Sequence, residues 1–282
     1  MKTLLQVLQQ STGYLETHGI ECARTDSEWL VAHALGLARI DLYLQFDRPL
    51  NEEELGAVRP LLRRRVAGEP VQYIVGSTEF YGCEVLVGPG VLIPRPETER
   101  LVDVALERYG GAGPVLDVCT GSGAILLALA AERADLHDLV GVDCSAEALS
   151  WARRNVENLS VADVSLVEGD LFEPVRGKAF GLITANPPYV RAGERGNLAG
   201  EIREHEPAEA LFAGADGLDV MRRLAAEVAA CLEPGGVFVG EIGWDQGEAA
   251  ADLFAAGGLS EVEVIQDYGR RDRVVTGVKP AG

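Results

Sequence analysis

Val115-Leu116-Asp117-Val118-Cys119-Thr120-Gly121-Ser122-Gly123-Ala124-Ile125 reads as a β-strand, a glycine-rich turn and the start of a helix. Gly121 and Gly123 allow tight backbone geometry and the close approach of a ligand. The free N–H groups at the start of the following helix supply hydrogen-bond donors. The spacing is not the G-x-G-x-x-G of dinucleotide-binding turns, and no pyrophosphate clamp accompanies it. Around this stretch, strand-like runs at residues 115–119, 139–143, 164–168, 180–185, 237–242, 262–265 and 274–278 alternate with helical patterns. Such alternation predicts an α/β fold, a parallel doubly wound sheet with helices on both faces. Ligands then bind beyond the carboxyl ends of the strands, and the chemical signals of the chain fall at those ends.

The 282 residues provide for one large or two modest domains, and a composition 47% hydrophobic and 24% charged is that of a soluble globular protein. No apolar run approaches the roughly 20 residues that span a bilayer, and Met1-Lys2-Thr3-Leu4-Leu5-Gln6 turns polar too early for a signal peptide. A cytoplasmic protein without membrane contact is expected, and a monomer. Cys22, Cys83, Cys119, Cys144 and Cys231 are scattered, with no CxxC pair and no histidines clustered near them. Buried free thiols are therefore expected rather than disulfides or a metal site. With 25 basic and 44 acidic residues the net charge is −19, which repels a phosphate backbone and disfavours direct nucleic-acid binding. A basic protein partner is electrostatically welcome.

Residues 1–75 read as a bundle of short helices. Leu4, Leu5, Val7, Leu8 and Leu15 recur near helical spacing. Asp26 or Ser27 is placed to cap a second helix ended by Gly36, and Asn51 with Glu54 forms a capping box for another. Arg59, Arg63, Arg64 and Arg65 near that helix's end suit its dipole and are expected on a solvated face. Residues 76–96 change character: Phe80-Tyr81-Gly82 and Val85-Leu86-Val87 suggest a β-hairpin, followed by a stiff, proline-rich connector. Residues 97–282 hold the alternating pattern.

Asp143 closes the second strand-like run, where an acidic side chain can accept both hydroxyls of a ribose; a helix cap is the other reading, although Ser145 is available for that. Asp170, followed by Leu171 and Phe172, closes the third. The fourth runs straight into Asn186-Pro187-Pro188-Tyr189. Two prolines stop the strand, fix φ near about −65° and carry no N–H. The result is a rigid loop presenting the Asn186 side chain and the Pro187 carbonyl as acceptors. Two acceptors can hold both hydrogens of an amide NH₂ group and pin its π-face toward an activated methyl carbon. Orientation and charge stabilisation can each supply several kcal/mol of such a barrier. Tyr189 is placed to pack on the substrate plane and meet the developing cationic nitrogen. Asn186, Pro187 and Tyr189 are thus the candidate catalytic residues, with Pro188 completing the substrate site.

The order Asp117-x-Cys119-x-Gly121-x-Gly123 resembles the first motif of class I methyltransferases, with Cys119 where glycine is commonest. Together with Phe80-Tyr81-Gly82, Leu92-Ile93-Pro94-Arg95-Pro96-Glu97-Thr98-Glu99, Glu206-Pro207, Glu241-Ile242-Gly243 and Arg271-Asp272-Arg273, the chain resembles the HemK-type protein glutamine methyltransferases over nearly its full length. The resemblance implies a seven-stranded, mostly parallel Rossmann-like domain joined by a hairpin to a small helical domain. It implies S-adenosylmethionine as the cofactor, touching Cys119, Thr120, Gly121, Ser122, Gly123, Asp143, Leu171 and Asn186, with Asp170 facing the adenine amino group. The implied substrate is the glutamine of a Gly-Gly-Gln tripeptide in class I peptide chain release factors, docked on the helical domain.

Residues 190–214 are polar and aperiodic, with Arg191, Glu194, Arg195, Glu201, Arg203, Glu204 and Glu206, which predicts a mobile substrate-facing segment rather than a packed element. Two other readings share the chemistry. A nucleic-acid adenine methyltransferase uses a similar Asn-Pro-Pro-aromatic loop, but needs a basic groove that this charge does not supply. A paralogue acting on a ribosomal-protein glutamine, or on a small guanidine or amide metabolite, has no sequence feature against it.

Overall fold

The computed structural model describes residues 2–111 and 113–281. They form two compact units: the residues up to Ser77 with Ala199–His205, and Thr78–Leu198 with the residues from Glu206 onward.

Up to Ser77 the first unit has five helices among its described residues, α1 (Leu4–Thr17), α2 (Ala23–Leu35), α3 (Arg39–Leu44), α4 (Glu52–Val66) and α5 (Val71–Val75), with β1 (Lys2–Thr3) paired antiparallel to β2 (Pro49–Leu50). Its core includes Leu4, Val7, Leu8, Leu15, Leu30, Val58 and Leu62 of the apolar set anticipated from helical spacing, while Leu5 of the same run is exposed. The Asn51–Glu54 capping box forms, each side chain meeting the other's backbone N–H at 2.9 Å. Two expectations are corrected. The second helix is capped at Cys22, so Asp26 lies inside its first turn. There Asp26 accepts the guanidinium of Arg65 at 2.6 Å, and Glu201 pairs with the same guanidinium at 2.5 Å. Arg65 therefore leaves the solvated face, because a buried acid in the core requires a partner.

In the second unit a hairpin comes first, β3 (Ser77–Phe80) and β4 (Cys83–Leu86), turning on Tyr81 and Gly82. Both turn residues have positive φ, 49° and 74°, as a two-residue turn of the hand that matches strand twist requires. Helices α6 (Glu99–Arg108), α7 (Ala124–Glu132), α8 (Ala146–Leu159), α10 (Asp219–Cys231) and α11 (Gly247–Ala256) belong to this unit, and α9 (Gly200–His205) groups with the helical unit. The strands are β5 (Pro114–Val118), β6 (His137–Asp143), β7 (Val164–Glu168), β8 (Phe180–Ala185), β9 (Leu232–Glu241), β10 (Ser260–Gln266) and β11 (Asp272–Val278). They form one sheet in the order β10-β11-β9-β8-β5-β6-β7. Strands β5 to β9 pair in parallel, while β11 runs antiparallel to both its neighbours. Every strand-like run of the sequence is a strand of this sheet. The β9 strand begins earlier than its apolar run because Phe180 pairs with Leu232 before the register shifts.

Strand order reverses at β5, with β6 on one side and β8 on the other, and this switch point opens a crevice at the carboxyl edge. Register sets what stands there. Val118 pairs with Val142 and with Ala185, and Ala185 with Gly240. The next residues, Cys119, Asp143, Asn186 and Glu241, therefore fall in one row across the sheet.

The polar segment after Tyr189 differs from expectation. It leaves and returns through a closed neck, with Val190 N–H donating to Leu211 O at 2.8 Å and Ala213 N–H donating to Val190 O at 2.9 Å. Short helices occupy Ala192–Asn197, Gly200–His205 and Ala208–Ala210. Glu206 is buried, accepting the Ile93 N–H at 3.2 Å and pairing with Arg95. The short helices themselves bury no residue, and the buried Glu206 anchors the segment as it returns. The thiols also differ from expectation: Cys231 is buried, Cys83 and Cys119 are half-buried, and Cys22 and Cys144 are exposed. Among the described residues no helix is long and apolar enough to cross a membrane.

Candidate active site

A cavity of about 190 Å³ opens at the switch point. Its wall contains Cys119, Thr120, Gly121, Ser122, Asp143, Asp170, Leu171, Asn186 and Pro188. Of the residues singled out from sequence, Gly123, Pro187 and Tyr189 are not on that wall. Gly123 instead caps α7 at φ 81°, and a Cβ there would meet Ala152 at 3.4 Å.

Cys119 adopts φ 58°, the left-handed region glycine favours, which explains why glycine is the commoner residue at this point of the motif. The turn is braced from beneath. Asp117, fully buried, accepts the hydroxyls of Thr120 and Thr184, each at 2.7 Å. Burial lifts the Asp117 carboxyl to about 7, against the pull of those two hydroxyls. Asn155, on α8 and also fully buried, donates to Ser122 O at 2.9 Å and to Leu86 O at 3.0 Å and accepts Leu86 N–H at 2.7 Å. It ties the turn to the hairpin. A lone amide on the apolar face of an amphipathic helix, beside Leu149 and Ala152, was the signal that would have revealed it.

Asp143 Oδ2 accepts Gly121 N–H at 2.8 Å and Oδ1 accepts Ser145 N–H at 2.9 Å. Ser145 itself caps α8 through Ala148 N–H at 3.2 Å. Burial pushes the Asp143 carboxyl above the usual range, while backbone N–H groups of Ser145, Gly121 and Cys144 hold it down. A carboxylate has about four acceptor sites, so the carboxyl keeps acceptor capacity for a diol hydroxyl. Asp170 is held at the rim by Arg223 at 2.6 Å, both side chains about half exposed. Leu171 and Phe172 are buried beneath.

Asn186 Nδ2 donates to Thr98 Oγ1 at 3.4 Å. Tyr189 donates its hydroxyl to Glu241 Oε1 at 3.0 Å, and burial pushes its phenol far above the ordinary range. The loop is clamped behind by Gln246, whose Nε2 donates to Tyr189 O at 3.1 Å and to Gly217 O at 3.3 Å. Gly217 has φ 78°, and a Cβ there would lie 2.3 Å from Tyr189 O. Thr98, Glu241 and Gln246 entered the sequence reading only through resemblance or not at all, because buried polar residues carry no periodicity.

A glycine turn after the first strand, an acid after the second and an Asn-Pro-Pro-Tyr loop after the fourth meet at one crevice. This is the arrangement and fold of a class I methyltransferase. The fold is shared with a methyltransferase from Pyrococcus furiosus, at TM-score 0.54 and 19% identity over 80% of this chain and 98% of that one. It is shared too with a 16S rRNA methyltransferase of Thermus thermophilus solved with AdoMet and guanosine, at TM-score 0.52 and 21% identity over 72% of this chain and 49% of that one. In sequence, residues 6–76 match the family described as PrmC N-terminal domain, and residues 98–216 match the family described as Methyltransferase small domain. The release factor glutamine methyltransferase of Geobacter sulfurreducens is 44% identical over 275 residues, covering 98% of this chain and 96% of its own. That of Bacillus subtilis is 39% identical over 284 residues, covering 98% and 97%. The chain belongs to the release factor glutamine methyltransferase family.

Proposed function

We propose that the protein transfers a methyl group from S-adenosylmethionine to the side-chain amide nitrogen of the glutamine in the Gly-Gly-Gln tripeptide of class I peptide chain release factors. The observation that carries this reading is the placement of Asn186. It stands on the cavity wall, in line with Cys119 and Asp143, with Nδ2 already donated to Thr98. Its carbonyl oxygen is left to accept a substrate N–H.

The cavity fits the cofactor. Asp143 keeps acceptor capacity for a ribose hydroxyl, Leu171 offers an apolar face to the adenine, and Asp170 stands at the rim to meet its amino group. Residues 119–122 line the path between. When bound, S-adenosylmethionine supplies a methyl carbon activated by its sulfonium, so a C–N bond forms as the C–S bond breaks and the amide proton passes to water. Asn186 Oδ1 and the Pro187 carbonyl hold the two amide hydrogens, which fixes the nitrogen's π-face toward that carbon. The Tyr189 ring flanks the amide plane, with its hydroxyl already committed to Glu241. No general base is required of the chain, since an amide nitrogen that has gained a methyl is acidic enough to lose its proton to solvent.

In this reading residues 97–282 carry the chemistry, residues 76–96 join it to the helical region, and residues 1–75 dock the release factor. The protein acts as a cytoplasmic monomer, without a metal and without binding nucleic acid directly. Transfer of labelled methyl to a purified release factor tests the proposal, with a Gln→Ala change in the tripeptide as control. Label on the unaltered factor alone is expected. Equal labelling of both factors rejects the reading.

A further inference from the structure

The limb of the polar segment that returns to the sheet also reaches the cofactor cavity. Pro207, Glu209 and Ala210 stand on the same wall as Asp143 and Asn186. Two fixed points hold them there. Just before them the buried Glu206 accepts the Ile93 N–H at 3.2 Å, and just after them Leu211 O accepts the Val190 N–H at 2.8 Å. The single turn between, Ala208–Ala210, leaves Glu209 exposed, and its carboxylate has no hydrogen bond or ion pair among the described residues. Neither the turn nor its anchors use this side chain.

Charge on the wall is unevenly balanced. Its charged side chains are Asp143, Asp170, Glu209 and Arg223, three acids against one base. Arg223 is committed to Asp170 at 2.6 Å. Burial is the main cause that raises the Asp143 carboxyl, and the charge of Glu209 adds to it. Like charges that face one cavity oppose each other, and a cation between them relieves the repulsion. In S-adenosylmethionine the sulfonium is joined to the ribose by one methylene, so a charge that reaches the ribose acceptor reaches the sulfonium too. Transfer removes that cation. The C–S bonding pair stays on sulfur as a neutral thioether, and the positive charge leaves on the methylated nitrogen and then as a proton to water. The adenosine and amino-acid parts are the same in cofactor and product, so the charge at sulfur is what a wall can use to tell them apart.

We propose that Glu209 is a specificity-determining residue, whose carboxylate on the cavity wall favours the cationic cofactor over its neutral product. The inference rests on the reading of this cavity as the S-adenosylmethionine site.

Calorimetry of S-adenosylmethionine and S-adenosylhomocysteine binding to the full chain tests it. Glu209→Gln keeps the shape and removes the charge. Glu261→Gln, on the edge strand β10 and off the cavity wall, makes the same change in net charge. Expected for Glu209→Gln is S-adenosylmethionine binding weakened about threefold to tenfold, with S-adenosylhomocysteine within about 1.5-fold of wild type. Glu261→Gln should leave both constants within about 1.5-fold. The wild-type preference for the cofactor should also shrink toward that of Glu209→Gln as ionic strength is raised from about 0.01 M to about 1 M, because an exposed charge is screened. Equal weakening of both ligands would assign Glu209 to a contact with their shared part and overturn the inference. Unchanged constants in Glu209→Gln, a shift of the same size in Glu261→Gln, or a wild-type preference indifferent to salt would overturn it as well. A wild-type protein that binds neither ligand would reject the cofactor reading along with the inference.

Discussion

Thr184 donates its hydroxyl to Asp117 at 2.7 Å across the β5–β8 pair, so the strand that ends in the transfer loop is tied directly to the strand that ends in the glycine turn. Asp117 is fully buried and is not among the residues that line the cavity. It braces the two halves of the site from beneath.

That placement has a pH signature. Burial raises the Asp117 carboxyl from 3.8 to about 7 in the folded protein. Between those values the folded state holds a proton that the unfolded chain has lost, so stability falls as pH rises through the window and levels off above it. Asp117→Asn removes the titration. Relative to wild type, the variant should gain stability between pH 5 and pH 8 by on the order of a few kcal/mol, read from denaturant unfolding at the two values. A difference independent of pH would show that Asp117 stays ionised.

Asn186→Ala should abolish methyl transfer, a loss of at least about a hundredfold in kcat, while calorimetry finds S-adenosylmethionine bound nearly as tightly as by wild type. Full activity in this variant would remove the acceptor role.

Asp143→Ala should weaken cofactor binding by about tenfold to a hundredfold, since hydrogen bonds to a charged group are each worth roughly 1.5–3 kcal/mol. Part of the loss passes through the turn, because Gly121 N–H loses its acceptor. An unchanged dissociation constant would place the ribose elsewhere.

Cys119→Val tests the turn itself. At φ 58° a β-branched side chain is a genuine outlier. The substitution should cost about 1–2 kcal/mol of stability, seen as a lowered melting temperature, and weaken cofactor binding with it. A melting temperature equal to wild type would mean that the backbone relaxes freely there.

Much of this was legible beforehand. Alternating apolar runs located the seven strands of the large sheet, because a sheet covered on both faces writes continuous hydrophobic stretches, but not the short β1–β2 pair. The Asn51–Glu54 box and the Gly36 stop were visible because their signals lie within one helical turn. Asp143, Asn186 and their neighbours were found because they sit where strands end. What stayed hidden depends on partners distant in sequence. Arg65 looks like one more surface cation until Asp26 is brought to it from 39 residues away. Glu206 looks like part of a polar loop until it meets Arg95 across 111 residues. Glu241 likewise gains meaning only from Tyr189, whose hydroxyl the fold brings to it from 52 residues away.

The most direct test of the central claim is peptide-level mass spectrometry after one reaction in which a release factor, ribosomal proteins and nucleic acid compete for the same S-adenosylmethionine. The account predicts one added methyl on the glutamine of the Gly-Gly-Gln tripeptide, and none on the competitors. Methyl found on a nucleobase or on another protein, with the release factor glutamine unmodified, would contradict it.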